Sequence, residues 1–265
     1  MDAASVYLQK LKMGKEPPTV NYLQRLILNH LSLIPYETFS KFHYYRKEGP
    51  KIPDFQTFVA NLESRGWGGT CYSLNVNFAR LLMQLGFTCS LVRVLPGHAG
   101  IMVHIEGRRF YVDVGYGSPI TRPVDLESKA HHLLHGFGEE ILFTRWGKKT
   151  FLLERQAHGK VFATKEIIWE PLTEEELQSD IEASYADSSD NIAMRRISAV
   201  RFQGNQCYFL RDHTLKVIDY RGIREHCFQR QDQWIQAVTE AFHVEEQGVQ
   251  EAVRFLADRG VSLFK

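Results

Sequence analysis

Apolar residues recur at helical spacing through the first third of the chain and at a spacing of two through the middle. After Pro17-Pro18, the run VNYLQRLILNHL sets Val20, Leu23, Leu26, Ile27 and Leu31 on one stripe, with Thr19 placed to cap it. A second helix is predicted behind Pro53-Asp54, with Phe55, Phe58, Val59 and Leu62 on one face. A third begins at Cys71 and carries Leu74, Phe78, Leu81, Leu82 and Leu85 before stopping at Gly86. From Phe87 the period changes: CSLVRVL, GIMVHI, RRFYVDV, EILFTRW, TFLLERQ and KVFATKEIIW read as strands broken by glycine, proline and charged turns. Helical character returns at Thr173-Glu-Glu-Glu-Leu, strands at ISAVRF and CYFLRD, and helices at QWIQAVTEAF and EEQGVQEAVRFLAD, closed by Gly260. The pattern predicts an α+β fold: helices over 1–86, an antiparallel sheet or barrel over 87–185 and a mixed α/β tail over 186–265.

Composition narrows the function classes. With 265 residues, 44% hydrophobic and 24% charged, the chain is long enough for two or three packed layers. Its 32 Lys+Arg against 31 Asp+Glu leave a net charge of +1, so no global field recruits nucleic acid or an anionic membrane. A small-molecule partner is expected. No leader-type apolar region opens the chain and no apolar run has spanning length, which predicts a cytoplasmic protein. Cys71, Cys89, Cys207 and Cys227 lack zinc-ligand spacing, so free thiols and no metal are expected.

The stretch GWGGTCYSLN puts three glycines before one cysteine at the head of a helix. With Thr70 as the cap, Cys71 would occupy the first turn, where unpaired N–H groups and the helix dipole favour a thiolate. Gly68-Gly69 would let another chain or a substrate approach the sulfur. A thiolate nucleophile works with a histidine held by a carboxylate or amide. In PGHAGIMVHIEGRRFYVDVGYG, a turn at Glu106-Gly107 pairs Ile105 with Arg108 and folds the segment into a hairpin. Ile101, Val103, Ile105, Phe110, Val112 and Val114 then share the core face, and His98, Met102, His104, Tyr111 and Asp113 the other. Asp113 falls opposite Gly100, with His98 on the diagonal. Geometry alone leaves both His98 and His104 as candidate bases.

Three blocks resemble the arylamine N-acetyltransferase family. LNHLSLIPYETFS at 28–40 is similar to the family's H-x-x-x-(I/V)-P-F-E-N block, GGTCYSLN at 68–75 to R-G-G-(aromatic)-C-x-(E/Q)-x-N, and HAGIMVHIEGRRFYVDVGYG at 98–117 to its H…D-V-G-F-G block. SSDNIAMRRISAVRF at 188–202 is a weaker match to a late strand block, with Ser189 and Asn191 replacing a Pro and a Ser. The resemblance implies an N-terminal helical bundle over 1–86, a central antiparallel β-barrel over 87–185 and a C-terminal α/β lid over 186–265, around a cysteine-protease-like Cys-His-Asp core: Cys71 as acyl-accepting nucleophile, His98 as base and Asp113 as its orienter. It places Tyr116 where the family has a pocket-lining Phe, with Pro96, Gly97 and Gly117 as further substrate-binding positions.

The activity so implied is a ping-pong transfer of acetyl from acetyl-CoA, through a Cys thioester, to an arylamine, arylhydrazine or hydrazide, as in xenobiotic metabolism. A transglutaminase-like hydrolase or an amide synthase on the same triad, and a catalytically degenerate binding module, are the alternatives. The chain departs from the pattern at Trp67, where the family has Arg, at Thr70 for an aromatic, and at Ser73 for Glu or Gln. Arg65 is left as the replacement partner of Glu37.

Overall fold

The structure is a computed structural model and describes residues 2–264. It opens with α1 (Ala3–Lys10), α2 (Val20–Leu33), the short strand β1 (Tyr36–Glu37), α3 (Phe39–Glu48), α4 (Phe55–Arg65) and α5 (Cys71–Gln84). Strands β2 (Thr88–Leu95), β3 (His98–Ile105), β4 (Arg108–Val112), β5 (His131–Gly136), β6 (Glu139–Arg145), β7 (Thr150–Ala157) and β8 (Lys160–Leu172) follow. After a 3-10 turn at Glu175–Leu177 come α6 (Gln178–Ser184), α7 (Ile192–Arg195), β9 (Ser198–Gln203), β10 (Gln206–Arg211), β11 (Thr214–Asp219), β12 (Gly222–Cys227), α8 (Gln231–Phe242) and α9 (Glu246–Ala257).

The α+β architecture predicted from periodicity is the one observed. The seven-stranded antiparallel sheet runs β4-β3-β2-β8-β7-β6-β5. In a flat sheet, five spacings of about 4.8 Å would separate β4 from β6 by roughly 24 Å. The rings of Tyr111 on β4 and Phe143 on β6 are instead 5.7 Å apart, so the sheet curls around its own interior. That interior holds Val92, Val94, Met102, Ile141, Leu153 and Trp169. Met102 and Tyr111 are fully buried, so the hairpin face opposite Ile101 and Val103 is a second core face. Alternation showed the two faces; curling buries both.

The other sheet, β1-β9-β10-β11-β12, draws its first strand from the helical third of the chain. Tyr36 pairs with Val200 and Glu37 with Ala199. α5 packs between β2 and β3 of the seven-stranded sheet on one side and α1 and α4 on the other; it is buried from Tyr72 through Ala79, with the Asn75 and Asn77 side chains hydrogen-bonded inside. The Thr19 hydroxyl accepts from the Tyr22 N–H at 3.2 Å, as expected of a cap.

Several elements were not among those predicted. α1 is only eight residues long, capped by Asp2, and docks through Ala4, Tyr7 and Leu8. α3 buries Phe39, Ser40, Phe42 and Tyr44 together with the charged Lys41, β5 is histidine-rich, and β12 is exposed throughout. β5 and β12 take their hydrogen bonds from β6 and β11, and the two helices take their burial from the elements packed against them.

Candidate active site

The predicted helix start at Cys71 is where α5 begins. Thr70 is the N-cap by position, and its carbonyl accepts from Leu74 N–H at 2.9 Å, but its hydroxyl makes no capping bond. The glycines before it serve the chain itself. A Cβ on Gly68 would stand 1.9 Å from the Pro35 carbonyl oxygen, and Gly69, at φ +140°, would meet Ser73 Oγ at 2.8 Å. Close packing of the loop against β1 and α5 therefore replaces the expected approach of a partner or substrate.

The hairpin has the expected register, with Ile105 opposite Arg108 and Ile101 opposite Val112, which brings Asp113 across from Gly100. His98 Nε2 lies 2.6 Å from Asp113 Oδ2, and both side chains are buried. His104 is exposed and faces Arg109, away from the carboxylate. The other side of the His98 ring meets Cys71, a partly exposed thiol whose Sγ also lies 3.9 Å from the Gly97 carbonyl oxygen. Gly115 makes this approach possible: a Cβ there would fall 2.8 Å from the Cys71 carbonyl oxygen and 2.9 Å from its Cα.

Asp113 accepts four hydrogen bonds. Oδ2 takes His98 and the Tyr111 hydroxyl, at 2.8 Å; Oδ1 takes Asn75 Nδ2 and the Gly115 N–H, each at 2.9 Å. Asn75 also donates to Ala99 O at 2.7 Å and accepts from Val114 N–H at 2.9 Å, tying α5 to both hairpin strands. Neither Asn75 nor Tyr111 was singled out by the sequence. Asn75 lies one helical turn past Cys71 and Tyr111 two residues before Asp113, so each shares the face of a singled-out residue.

Burial alone would raise the Asp113 carboxyl; the His98 charge and the hydrogen bonds from His98, Asn75 and Tyr111 outweigh it and hold it below the usual carboxylate range. Burial likewise would lower His98, but Asp113 and Cys71 lift it to about 9. At Cys71, burial raises the thiol, and His98 and then Lys41 pull it below its ordinary value. The arrangement favours a thiolate–imidazolium pair at neutral pH. Burial instead pushes the Cys89 and Cys207 thiols up to about 12.

A cavity of about 380 Å³ opens over the sulfur, lined by Tyr36, Lys41, Thr70, Gly97 and Ser184. Of the other predicted substrate positions, Tyr116 lies beside it, its ring 4.9 Å from that of His98 and 5.0 Å beneath the Arg155 guanidinium. The Pro96 carbonyl accepts from Lys165 Nζ, and the Gly117 carbonyl from Arg155 Nη2 at 3.2 Å.

Arg65 does not reach Glu37. It pairs with Glu245 at 2.9 Å and stacks on Trp67, 4.6 Å from its ring. Trp67 is buried against His43, with ring centres 4.7 Å apart, and against Gly248, where a Cβ would lie 2.8 Å from Nε1. Glu37 is left buried without a cation, accepting from the Ser40 N–H at 2.9 Å and the Ser40 hydroxyl at 2.6 Å. Burial pushes it up to about 7 despite those bonds.

An N-acetyltransferase family model matches residues 19–249. Among curated proteins, proansamycin X synthase of Amycolatopsis mediterranei is 31% identical over 43% of this chain and 48% of its own length. An uncharacterized acetyltransferase of Acanthamoeba polyphaga mimivirus is 30% identical over 41% of this chain and 57% of its own. The matches thus span about half the length of these curated relatives. The Mycobacterium smegmatis N-arylamine acetyltransferase superposes with a TM-score of 0.81 over all of both chains at 21% identity. Mycobacterium marinum arylamine N-acetyltransferase, solved in complex with CoA, does so at 0.80 over 98% of this chain and 99% of its own at 18% identity. No helix among the described residues is long and apolar enough to cross a membrane. The matched span takes in α5, the hairpin and the second sheet, and with it the chain belongs to the arylamine N-acetyltransferase family of acyltransferases.

Proposed function

We propose that the protein transfers an acetyl group from acetyl-CoA to an arylamine, arylhydrazine or hydrazide by a ping-pong cycle through a thioester on Cys71. The observation that carries this reading is His98 held between the Cys71 sulfur and the buried, four-times hydrogen-bonded Asp113. The Cys71 thiolate attacks the thioester carbonyl carbon, the bond from that carbon to the CoA sulfur breaks, and His98 gives its proton to the departing thiolate. The amine then attacks the acyl-enzyme, His98 takes its proton, and the Cys71 thiolate is released. Asp113 keeps the ring aligned and stabilises its charged form. The Cys71 N–H and a backbone N–H near Thr70 or Gly97 are the candidate donors to the tetrahedral oxyanion.

Tyr116, Pro96, Gly97 and Gly117 form the proposed acceptor side, the protein is placed in the cytoplasm, and the divisions near 86 and 185 mark its helical, β and lid regions. A second reading, synthase chemistry with another acyl donor on the same three residues, draws on the similarity to the Amycolatopsis mediterranei synthase. Mass spectrometry after brief exposure to acetyl-CoA tests the first reading. One acetyl group on the peptide containing Cys71, absent from Cys71→Ser, is expected together with a burst of free CoA. An unmodified wild-type protein overturns it.

A further inference from the structure

The cavity over Cys71 contains a buried cation that the cycle above does not use. Lys41, on α3, is only 3% exposed, and its Nζ donates to the Ser184 carbonyl oxygen at 2.8 Å and to Ser184 Oγ at 3.2 Å. It also lies 4.2 Å from the centre of the Tyr185 ring. All of these partners are neutral, although a buried ammonium is normally paired with a carboxylate. Asp180 lines the same cavity but is held by Arg93 Nε at 2.8 Å. Burial lowers the Lys41 ammonium to about 8, and the charge that draws it back up is the thiolate of Cys71.

That dependence changes during the reaction. While Cys71 is a thiolate, Lys41 has a counter-charge across the cavity. Once the sulfur carries an acyl group, its negative charge is gone and the ammonium faces the cavity uncompensated. A carboxylate on the acyl group, or on the amine that comes to collect it, restores the balance and replaces the water lost on binding with a charge-assisted hydrogen bond.

We propose that Lys41 is a specificity-determining residue that selects substrates bearing a carboxylate close to the reacting centre, carried on the acyl group or on the acceptor amine. The proposal rests on the acyl-transfer reading and adds the substrate class to it. Trp67, Thr70 and Ser73, the departures around the nucleophile, supply no charge to the cavity; Lys41 does.

Two matched pairs test it on the wild-type protein. With acetyl-CoA as donor, para-aminophenylacetate is compared with its methyl ester, whose methylene insulates the amine from the carboxyl group. With one neutral arylamine as acceptor, succinyl-CoA is compared with pentanoyl-CoA. The kcat/KM of the carboxylated member is expected to exceed that of its neutral partner by about tenfold in at least one pair, the scale of one hydrogen bond to a charged group. The pair that shows the preference identifies which substrate carries the carboxylate. In Lys41→Gln, which can still donate to Ser184, the ratio should fall to about one, and Lys41→Arg should retain part of it.

Ratios near or below one in both wild-type pairs overturn the proposal without any variant, as does a ratio unchanged in a folded Lys41→Gln. An acetyl adduct on Cys71 with no carboxylate preference removes this inference alone; absence of the adduct removes the acyl-transfer reading beneath it.

Discussion

Asp113→Asn removes one negative charge from the centre of the site and should separate the roles of charge and shape. Lifting His98 from 6.5 to about 9 amounts to about 3 kcal/mol in favour of the imidazolium. Without the carboxylate, burial drives the ring toward its neutral form, and the Cys71 thiolate loses its nearest cation. Asp113 is the larger source of that lift and Cys71 the smaller, so losing the carboxylate lowers the thiolate population at neutral pH by up to roughly 10²-fold. The amide also fits badly. Oδ1 accepts from two obligate donors, the Asn75 amide and the Gly115 N–H, so the Asn NH₂ is forced to the Oδ2 side, where it meets the Tyr111 hydroxyl and His98 Nε2 and can donate to the ring only in its neutral form.

The assay is the initial rate of iodoacetamide alkylation of Cys71, located by peptide mass spectrometry and followed from acid to alkaline pH. Wild type should react at a nearly constant rate through neutrality, because the ion pair persists below the His98 value of about 9. Asp113→Asn should react up to roughly 10²-fold more slowly at neutral pH and gain rate as pH rises, like an ordinary thiol. Circular dichroism establishes that the variant is folded. A folded Asp113→Asn alkylated at the wild-type neutral rate would refute the argument that the carboxylate sustains the pair.

Two further changes test the surroundings. Glu37 titrates at about 7 when folded against 4.5 as a free carboxyl, so the unfolded chain releases its proton first and stability falls as pH rises through that window. Glu37→Gln should gain about 1 kcal/mol over wild type near about pH 5 and about 3 kcal/mol near about pH 8 in denaturant titrations; equal differences at both pH values would show that Glu37 is not held uncompensated. Gly115→Ala places a methyl group against the Cys71 backbone, which cannot yield as a side chain would. It should cost roughly 1–3 kcal/mol and slow alkylation of Cys71, and unchanged melting and reactivity would show that the contact is slack.

Local chemistry was legible in the sequence where it depends on spacing. The head of α5, the two-residue turn at Glu106-Gly107 and the alternation on each side of it fix which residues share a face with Asp113, because strand period and turn geometry are local properties. Spacing also narrowed the base to two histidines, and the register that buries His98 leaves His104 at the surface.

What only the tertiary structure decided are contacts between distant parts of the chain. Arg65 lies 180 residues from Glu245 in sequence, and Lys41 lies 143 from Ser184. No periodicity couples such positions. Trp67 could be recognised as a departure, but its packing against Gly248 required α9 to be in place, and the burial of Glu37 without a cation required the fold around it. Pattern sets which side a residue faces; burial and charge depend on what the rest of the chain brings to that side, and that is a property of the packed whole.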